Sequence, residues 1–305
     1  MKKIHVEFLM AIMLVLSACS TEAPGTKKES ESTGGEGDLK IGFSISTLNN
    51  PFFVTLSDGA QAQADEMGAE LIVIDAQDDA AKQASDVEDL IQQGVDLILI
   101  NPTDSEAVVA TVQSANDAGI PVITVDRSAA GGEVVSHIAS DNKAGGVLAG
   151  QYMVSLLGEG AKVAELEGIA GSSAARDRGT GFNEIATGQL DVVAKQTANF
   201  NRAEGLTVME NILQANPDIT GVFAHNDEMA LGALEAIEAA GKDIKVVGFD
   251  ATDDAVKSVE EGKLAGTVAQ KPELIGKKAV EAAVQSLKGE TVEASIPVEL
   301  ELIKK

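Results

Sequence analysis

From Leu39 to the C-terminus, short apolar runs rich in β-branched residues alternate with longer amphipathic stretches, and halfway along the cycle begins again. The strand candidates are "LKIGFSIS", "AELIVIDA", "VDLILINP", "PVITVD", "VSHIAS", "AKVAELEG", "LDVVAKQ", "ITGVFAHN", "IKVVGFD" and "AGTVAQ". Between most of them lie helical patterns such as Ser105–Ala118 and Asp227–Ala240, stopped by Gly119 and Gly241. Alternation of this kind predicts an α/β fold with mainly parallel sheets flanked by helices. The restart predicts two sheets. One strand ends in Asn101 and the next in Asp126, 25 residues on; in the second half the corresponding ends are Asn226 and Asp250, 24 residues apart. Each half also opens with a strand, a polar loop and a helix, at "STLNNPFF" (46–53) and "GIAGSSAARDRGTGF" (168–182). Two similar doubly wound lobes account for the echo.

In open parallel sheets, ligands sit beyond the carboxyl ends of the strands. Asn101, Asp126, Asn226 and Asp250 fall there, with Asn50 and Arg178 in the two matching first loops. If the lobes face each other, both sets converge on one cleft. Amide, carboxylate and guanidinium groups are planar and make two hydrogen bonds at once. A sugar suits them: adjacent hydroxyls match the forks, and C–H faces suit aromatic rings. The competing reading of each Asn or Asp is a helix cap, where these types are favoured anyway.

Phe52 and Phe53 pose a sharper question. Asn50 and Pro51 read as a helix start, yet adjacent residues point about 100° apart on a helix, so one core face should not hold both rings. The expectation is that at least one packs on ligand, and that Phe53→Ala costs binding more than folding.

The N-terminus reads as export machinery. Lys2 and Lys3 precede an apolar stretch from Phe8 to Leu16, then "LSAC" around Cys19, the only cysteine in the chain. This is a signal-peptide layout (1–18) ending like a bacterial lipobox, in which the cysteine is lipidated. The apolar run is shorter than the ~20 residues a membrane-spanning helix needs. Residues 19–38, polar and rich in Gly, Ser and Glu, read as a flexible tether. The expected location is outside the cytoplasm, lipid-anchored to the outer face of the cell membrane.

Several function classes are excluded or disfavoured. A formal charge of −25 repels phosphate backbones, so nucleic acid is not an expected partner. No Walker-type phosphate loop, G-x-S-x-G elbow or H-E-x-x-H spacing occurs. With no cysteine in the body and only His5, His137 and His225, no catalytic constellation emerges. His137 sits in a strand pattern and reads as packed, whereas His225 borders the site. No enzyme activity, cofactor or metal is expected.

The motifs "STLNNPFF", "INPTDSEAV", "IPVITVDR", "EVVSHIASDN", "GIAGSSAARDRGTGF", "NDEMALGAL", "VVGFD" and "TVAQ" together resemble the ribose-binding proteins of bacterial ABC transporters, from about Leu39 to the C-terminus. That resemblance implies the type I periplasmic binding fold: two Rossmann-like lobes joined by three crossovers and closing on a sugar. It implies ligand contacts from Asn50, Phe52, Phe53, Asn101, Asp126 and Arg127 in the first lobe. From the second it implies Arg178, Phe200, Asn226, Asp250 and Gln270. It places the crossovers near Ser140–Asp141, Gln270–Lys271 and Glu299–Leu300, giving lobes of 39–140 plus 271–299 and 141–270 plus 300–305. Asn199, Asn201 and His225 depart from the family's common Asp, Asp and Gln. The implied ligand is D-ribose or a similar monosaccharide, with another pentose, allose or an autoinducer-2 type furanosyl signal as the alternative. The implied partner is an ABC permease, with a chemotaxis receptor as a further candidate, and the expected state is a monomer. Sugar-responsive repressors share this lobe pair but carry a helix-turn-helix where this chain has its signal and tether.

Overall fold

The computed structural model describes residues 39–305. The expected signal peptide, the Cys19 lipidation site and the tether lie outside the described residues. Twelve strands and nine helices form two six-stranded sheets among the described residues.

The first sheet takes β1 (Lys40–Ile45), β2 (Glu70–Asp75), β3 (Leu97–Ile100), β4 (Val122–Val125), β5 (Ser136–Ser140) and, from near the C-terminus, β11 (Ser295–Val298). Its order is β11-β5-β4-β3-β1-β2, and every pairing is parallel. The helices α1 (Pro51–Met67) and α9 (Pro272–Leu287) cover one face, and α2 (Ala80–Gln92) and α3 (Val108–Asp117) cover the other. β3 shows why the strands read as continuous apolar runs. Leu97 and Leu99 enter the α1/α9 core, Ile98 and Ile100 enter the α2/α3 core, and all four are fully buried.

The second sheet repeats the plan with β6 (Ala161–Glu167), β7 (Leu190–Thr197), β8 (Gly221–Ala224), β9 (Lys245–Asp250), β10 (Gly266–Ala269) and β12 (Glu301–Lys304). Its order is β12-β10-β9-β8-β6-β7, parallel except for the antiparallel β12. The helices α4 (Asn142–Leu157) and α5 (Ser173–Ala186) pack on one face; α6 (Arg202–Ala215), α7 (Asp227–Ala239) and α8 (Asp253–Glu260) pack on the other. The fold is therefore two mainly parallel α/β lobes. The chain passes between the sheets after β5, after β10, and between β11 and β12, where only Glu299 and Leu300 intervene.

The helix pairs beside the sheets are drawn unusually close by facing glycines. On α4 and α5, a Cβ at Gly146 would overlap the Arg178 carbonyl, and one at Gly181 would overlap that of Lys143. This contact fixes the height of α5 and therefore of Arg178.

All ten strand candidates form strands, and both quoted helical stretches form helices, the first starting three residues later than its pattern suggests. β11 and β12 had no sequence counterpart. Both are four residues long and largely exposed, and β11 contains Pro297, so neither carries a buried apolar run.

Candidate functional site

The carboxyl ends of both sheets face one another, and ten of the eleven residues nominated from the sequence line one small cavity between them. Asn50, Phe52, Phe53, Asp126 and Arg127 come from the first lobe; Arg178 on α5, Asp250 at the end of β9, and the loop residues Phe200, Asn226 and Gln270 come from the second. Ala174, on the first turn of α5, completes the lining. The lobes also touch directly beside it: the Ser105 N–H donates to the Gly171 carbonyl at 2.9 Å and the Ser128 N–H to Ser173 Oγ at 2.9 Å.

Asn101 is the exception. It is fully buried at the end of β3 but does not line the cavity. Its Oδ1 accepts from the Ser46 N–H at 3.1 Å and its Nδ2 donates to the Val125 carbonyl at 2.9 Å, so the side chain is spent tying β1 and β4 to β3.

The choice between capping and ligand contact resolves residue by residue. Asn50 caps α1, its Oδ1 accepting from the Phe52 N–H at 3.0 Å, and Asn226 caps α7, its Oδ1 accepting from the Met229 N–H at 3.0 Å. Both nevertheless line the cavity, and Asn226 Nδ2 also donates to the Phe200 carbonyl at 3.3 Å. Asp126 and Asp250 cap no helix. They adopt φ of 62° and 120°, and Phe200 adopts 58°, in the region that side-chain-bearing residues avoid. Such strain costs on the order of 1–3 kcal/mol per residue and clusters at binding sites.

The premise that one core face should not hold both phenylalanine rings needs correction. Phe52 and Phe53 share one core cluster with Leu56, Ile41, Phe43 and Ile45, and both are almost wholly buried. The rings meet edge to face, 5.2 Å between centroids at 84°, so the second ring packs against the first instead of needing its own patch of sheet. The first turn of α1 lies between the sheet and the cavity, and both rings border each.

Two arginines dominate the electrostatics. The Arg127 guanidinium lies 5.0 Å from the centroid of Phe53 and 5.4 Å from that of Phe200, a cation between aromatic faces from opposite lobes. Its Nη1 donates to the Pro102 carbonyl at 3.3 Å. Arg178 stacks 3.9 Å over Phe249, donates from Nε to Asn142 Oδ1 at 2.8 Å and from Nη1 to the His225 carbonyl at 2.6 Å, and stands 3.5 Å from Asp250 Oδ1. Gln270 Nε2 donates to the same Asp250 oxygen at 2.9 Å.

Burial pushes the Asp250 carboxyl up to about 7, against the pull of Arg178 and the Gln270 bond. Burial also raises Asp126, although Arg127 and Arg178 oppose it. Asp227, just behind Asp250, is held well above the usual carboxylate range by burial and then by the charge of Asp250. It accepts from Thr267 Oγ1 at 2.7 Å and from the Thr252 N–H at 2.8 Å.

Three polar atoms of the lining are buried and make no hydrogen bond to the protein: Asp126 Oδ1, Gln270 Oε1 and Arg127 Nε, the last lying 3.9 Å from Asp126 Oδ2. Two acceptors and one donor around so small a space suit a neutral, hydroxyl-rich molecule, since each hydroxyl both donates and accepts.

Sequence reasoning did not single out Asn142, Asp227 or Ala174. Asn142 had the "SDN" at a crossover as a signal, Asp227 looked like an ordinary acidic first-turn residue, and Ala174 gave none. Of the departures from the family pattern, Asn201 caps α6 and Asn199 donates from Nδ2 to Glu204 Oε2 at 2.7 Å, both local to the loop that carries Phe200. His137 pairs through Nδ1 with Thr124 Oγ1 at 2.9 Å inside the first sheet.

Comparison with known proteins places the chain. The periplasmic binding protein domain matches residues 41–291. The ribose import binding protein RbsB of Bacillus subtilis (strain 168) is 56% identical over 302 residues, spanning 99% of each chain. That of Escherichia coli (strain K12) is 57% identical over 267 residues, covering 87% of this chain and 90% of the relative. Among solved structures, an ABC transporter solute binding protein from Mycobacterium smegmatis with bound glycerol superposes with a TM-score of 0.85 at 38% identity, covering 88% of this chain and 94% of that one. With its paired parallel sheets, three chain crossings and cavity between lobes, this chain belongs to the periplasmic binding protein family.

Proposed function

We propose that this chain is an extracytoplasmic D-ribose-binding protein that delivers sugar to an ABC permease. The carrying observation is the set of buried polar atoms without hydrogen bonds on Asp126, Arg127 and Gln270 around a cavity walled by Phe52, Phe53 and Phe200. Sugar hydroxyls would satisfy those atoms while the C–H faces lie on the rings. The remaining polar lining, Asn50, Arg178, Asn226 and Asp250, supplies further donors and acceptors. The identity to ribose import binding proteins over nearly the whole chain supports ribose as the occupant.

Binding would work by closure. Ser140–Asp141, Gln270–Lys271 and Glu299–Leu300 are the hinge segments, and the lobes are 39–140 plus 271–299 and 141–270 plus 300–305. Contacts that exist only when the lobes meet, including Phe200 on Arg127, give the sugar its differential affinity for the closed state. The protein acts as a monomer without enzymatic activity or cofactor. Its N-terminal signal directs export and Cys19 carries the lipid that anchors it to the outer face of the membrane; mass spectrometry of the mature protein checks the lipid. The closed form presents both lobes to the permease, and a chemotaxis receptor is a further candidate partner.

The test of ligand identity is a calorimetric panel of D-ribose, allose, xylose, arabinose and autoinducer-2. One-to-one saturation with ribose well ahead of the others is expected. A different ligand ahead of ribose rejects ribose, and silence from all of them at millimolar concentration rejects the sugar reading.

A further inference from the structure

Behind the second lobe's share of the cavity wall, Glu165 on β6 and His225 at the end of β8 form a pair that is wholly removed from solvent. His225 Nε2 stands 2.9 Å from Glu165 Oε1, and the Gly168 N–H points at His225 Nδ1 from 3.4 Å. Nδ1 is therefore the acceptor, and Nε2 carries the hydrogen and donates it to the carboxylate. Burial holds the imidazole below its ordinary value and so neutral. Glu165 stays ionised despite its burial through His225, through Asn183 Nδ2 at 2.9 Å and through the charge of Lys195, 3.4 Å away at the lobe surface.

Neither residue touches the cavity, yet three of its elements are fastened to the pair. The His225 carbonyl accepts from Arg178 Nη1 at 2.6 Å, and Asn226 is the next residue along the chain. The helix that carries Arg178 rests on the pair: a Cβ at Gly179 would come 3.2 Å from both Glu165 Oε1 and His225 Cε1, and Asn183 bonds Glu165 one turn on. Gly168, which donates to the imidazole, lies directly beneath the Phe200 ring, where any Cβ would overlap it. A ring fixed at both nitrogens cannot rotate, so the peptide that aims the 225 carbonyl is fixed with it.

We propose that Glu165 and His225 are positioning residues of the sugar site, holding Arg178, Asn226 and Phe200 in binding geometry without contacting the ligand. This rests on the sugar reading above. It is tested by a double-mutant cycle of H225A with R178K, with D-ribose affinity and melting temperature recorded for each variant. Acting through Arg178, His225→Ala weakens ribose binding about tenfold when Arg178 is present and less than about threefold when Lys replaces it. H225Q, whose amide can donate to Glu165 and accept from Gly168, restores most of the affinity. Where H225A does not fold, E165Q takes its place in the cycle. Equal losses in both backgrounds, or unchanged affinity in H225A, overturn the positioning role while leaving the sugar reading intact. A native protein that binds no sugar removes both.

Discussion

Phe53→Ala separates two accounts of the paired aromatics, and the structure changes the outcome expected from the sequence. Phe53 is only 2% exposed and packs on Phe52, Leu56 and the strand residues of the first lobe's core. Truncating a buried Phe to Ala costs about 3–5 kcal/mol. The lower end applies, because one side of the ring already borders the cavity and the void left behind merges with it. About 3 kcal/mol corresponds to roughly 5 °C of melting temperature for a protein of this size. Binding suffers as well: the ring supplies a wall of the cavity and one of the two aromatic faces around Arg127. Loss of the contact that positions Arg127, worth about 0.5–2 kcal/mol, should lower ribose affinity roughly two- to thirtyfold. Calorimetry of the unliganded variant gives the first quantity and titration at a temperature well below its transition gives the second. An unchanged melting temperature refutes the core assignment, and a destabilised variant of native affinity refutes the cavity assignment.

Other expectations follow from the same geometry. Asn101→Ala should lower stability by about 2 kcal/mol in denaturant titration, because it strands the buried Ser46 N–H and takes one of two donors from the Val125 carbonyl, and should alter affinity less than any cavity substitution. Gly181→Ala should lower stability by about 1–3 kcal/mol in denaturant titration, since α5 must move off the Lys143 carbonyl, and should weaken binding through Arg178. The raised Asp250 means the folded protein holds a proton that the unfolded chain has released between about pH 4 and 7, so this group's contribution to stability falls as pH rises through that window. D250N removes that slope, and its melting temperature relative to the native protein should therefore increase between pH 5 and pH 8.

The fold was legible where burial is complete. Strands such as β3 and β8, buried on both faces, leave uninterrupted apolar runs, while β11 and β12 leave weak ones because their side chains are mostly exposed. The site was legible through repetition, since polar residues at matched strand ends in both halves are hard to ascribe to helix caps alone. What the pattern could not convey is where each such side chain spends its hydrogen bonds. Asn101 and Asn226 occupy equivalent positions, yet one laces strands together and the other caps a helix at the cavity edge. Nor could helical spacing reveal that Phe52 supports Phe53, because an edge-to-face pair depends on ring orientation and not on which side of the helix a residue occupies. Asp227 and the Glu165–His225 pair stayed hidden for a related reason: their partners lie on other strands, 40 and 60 residues away.

A crystal structure of the protein with D-ribose tests the central claim most directly. The account predicts one sugar between the lobes, its faces on Phe52, Phe53 and Phe200 and its hydroxyls bonded to Asp126 Oδ1, Arg127 Nε and Gln270 Oε1. A sugar bound elsewhere, or one seated in the cavity with those three atoms still without hydrogen bonds, would contradict it.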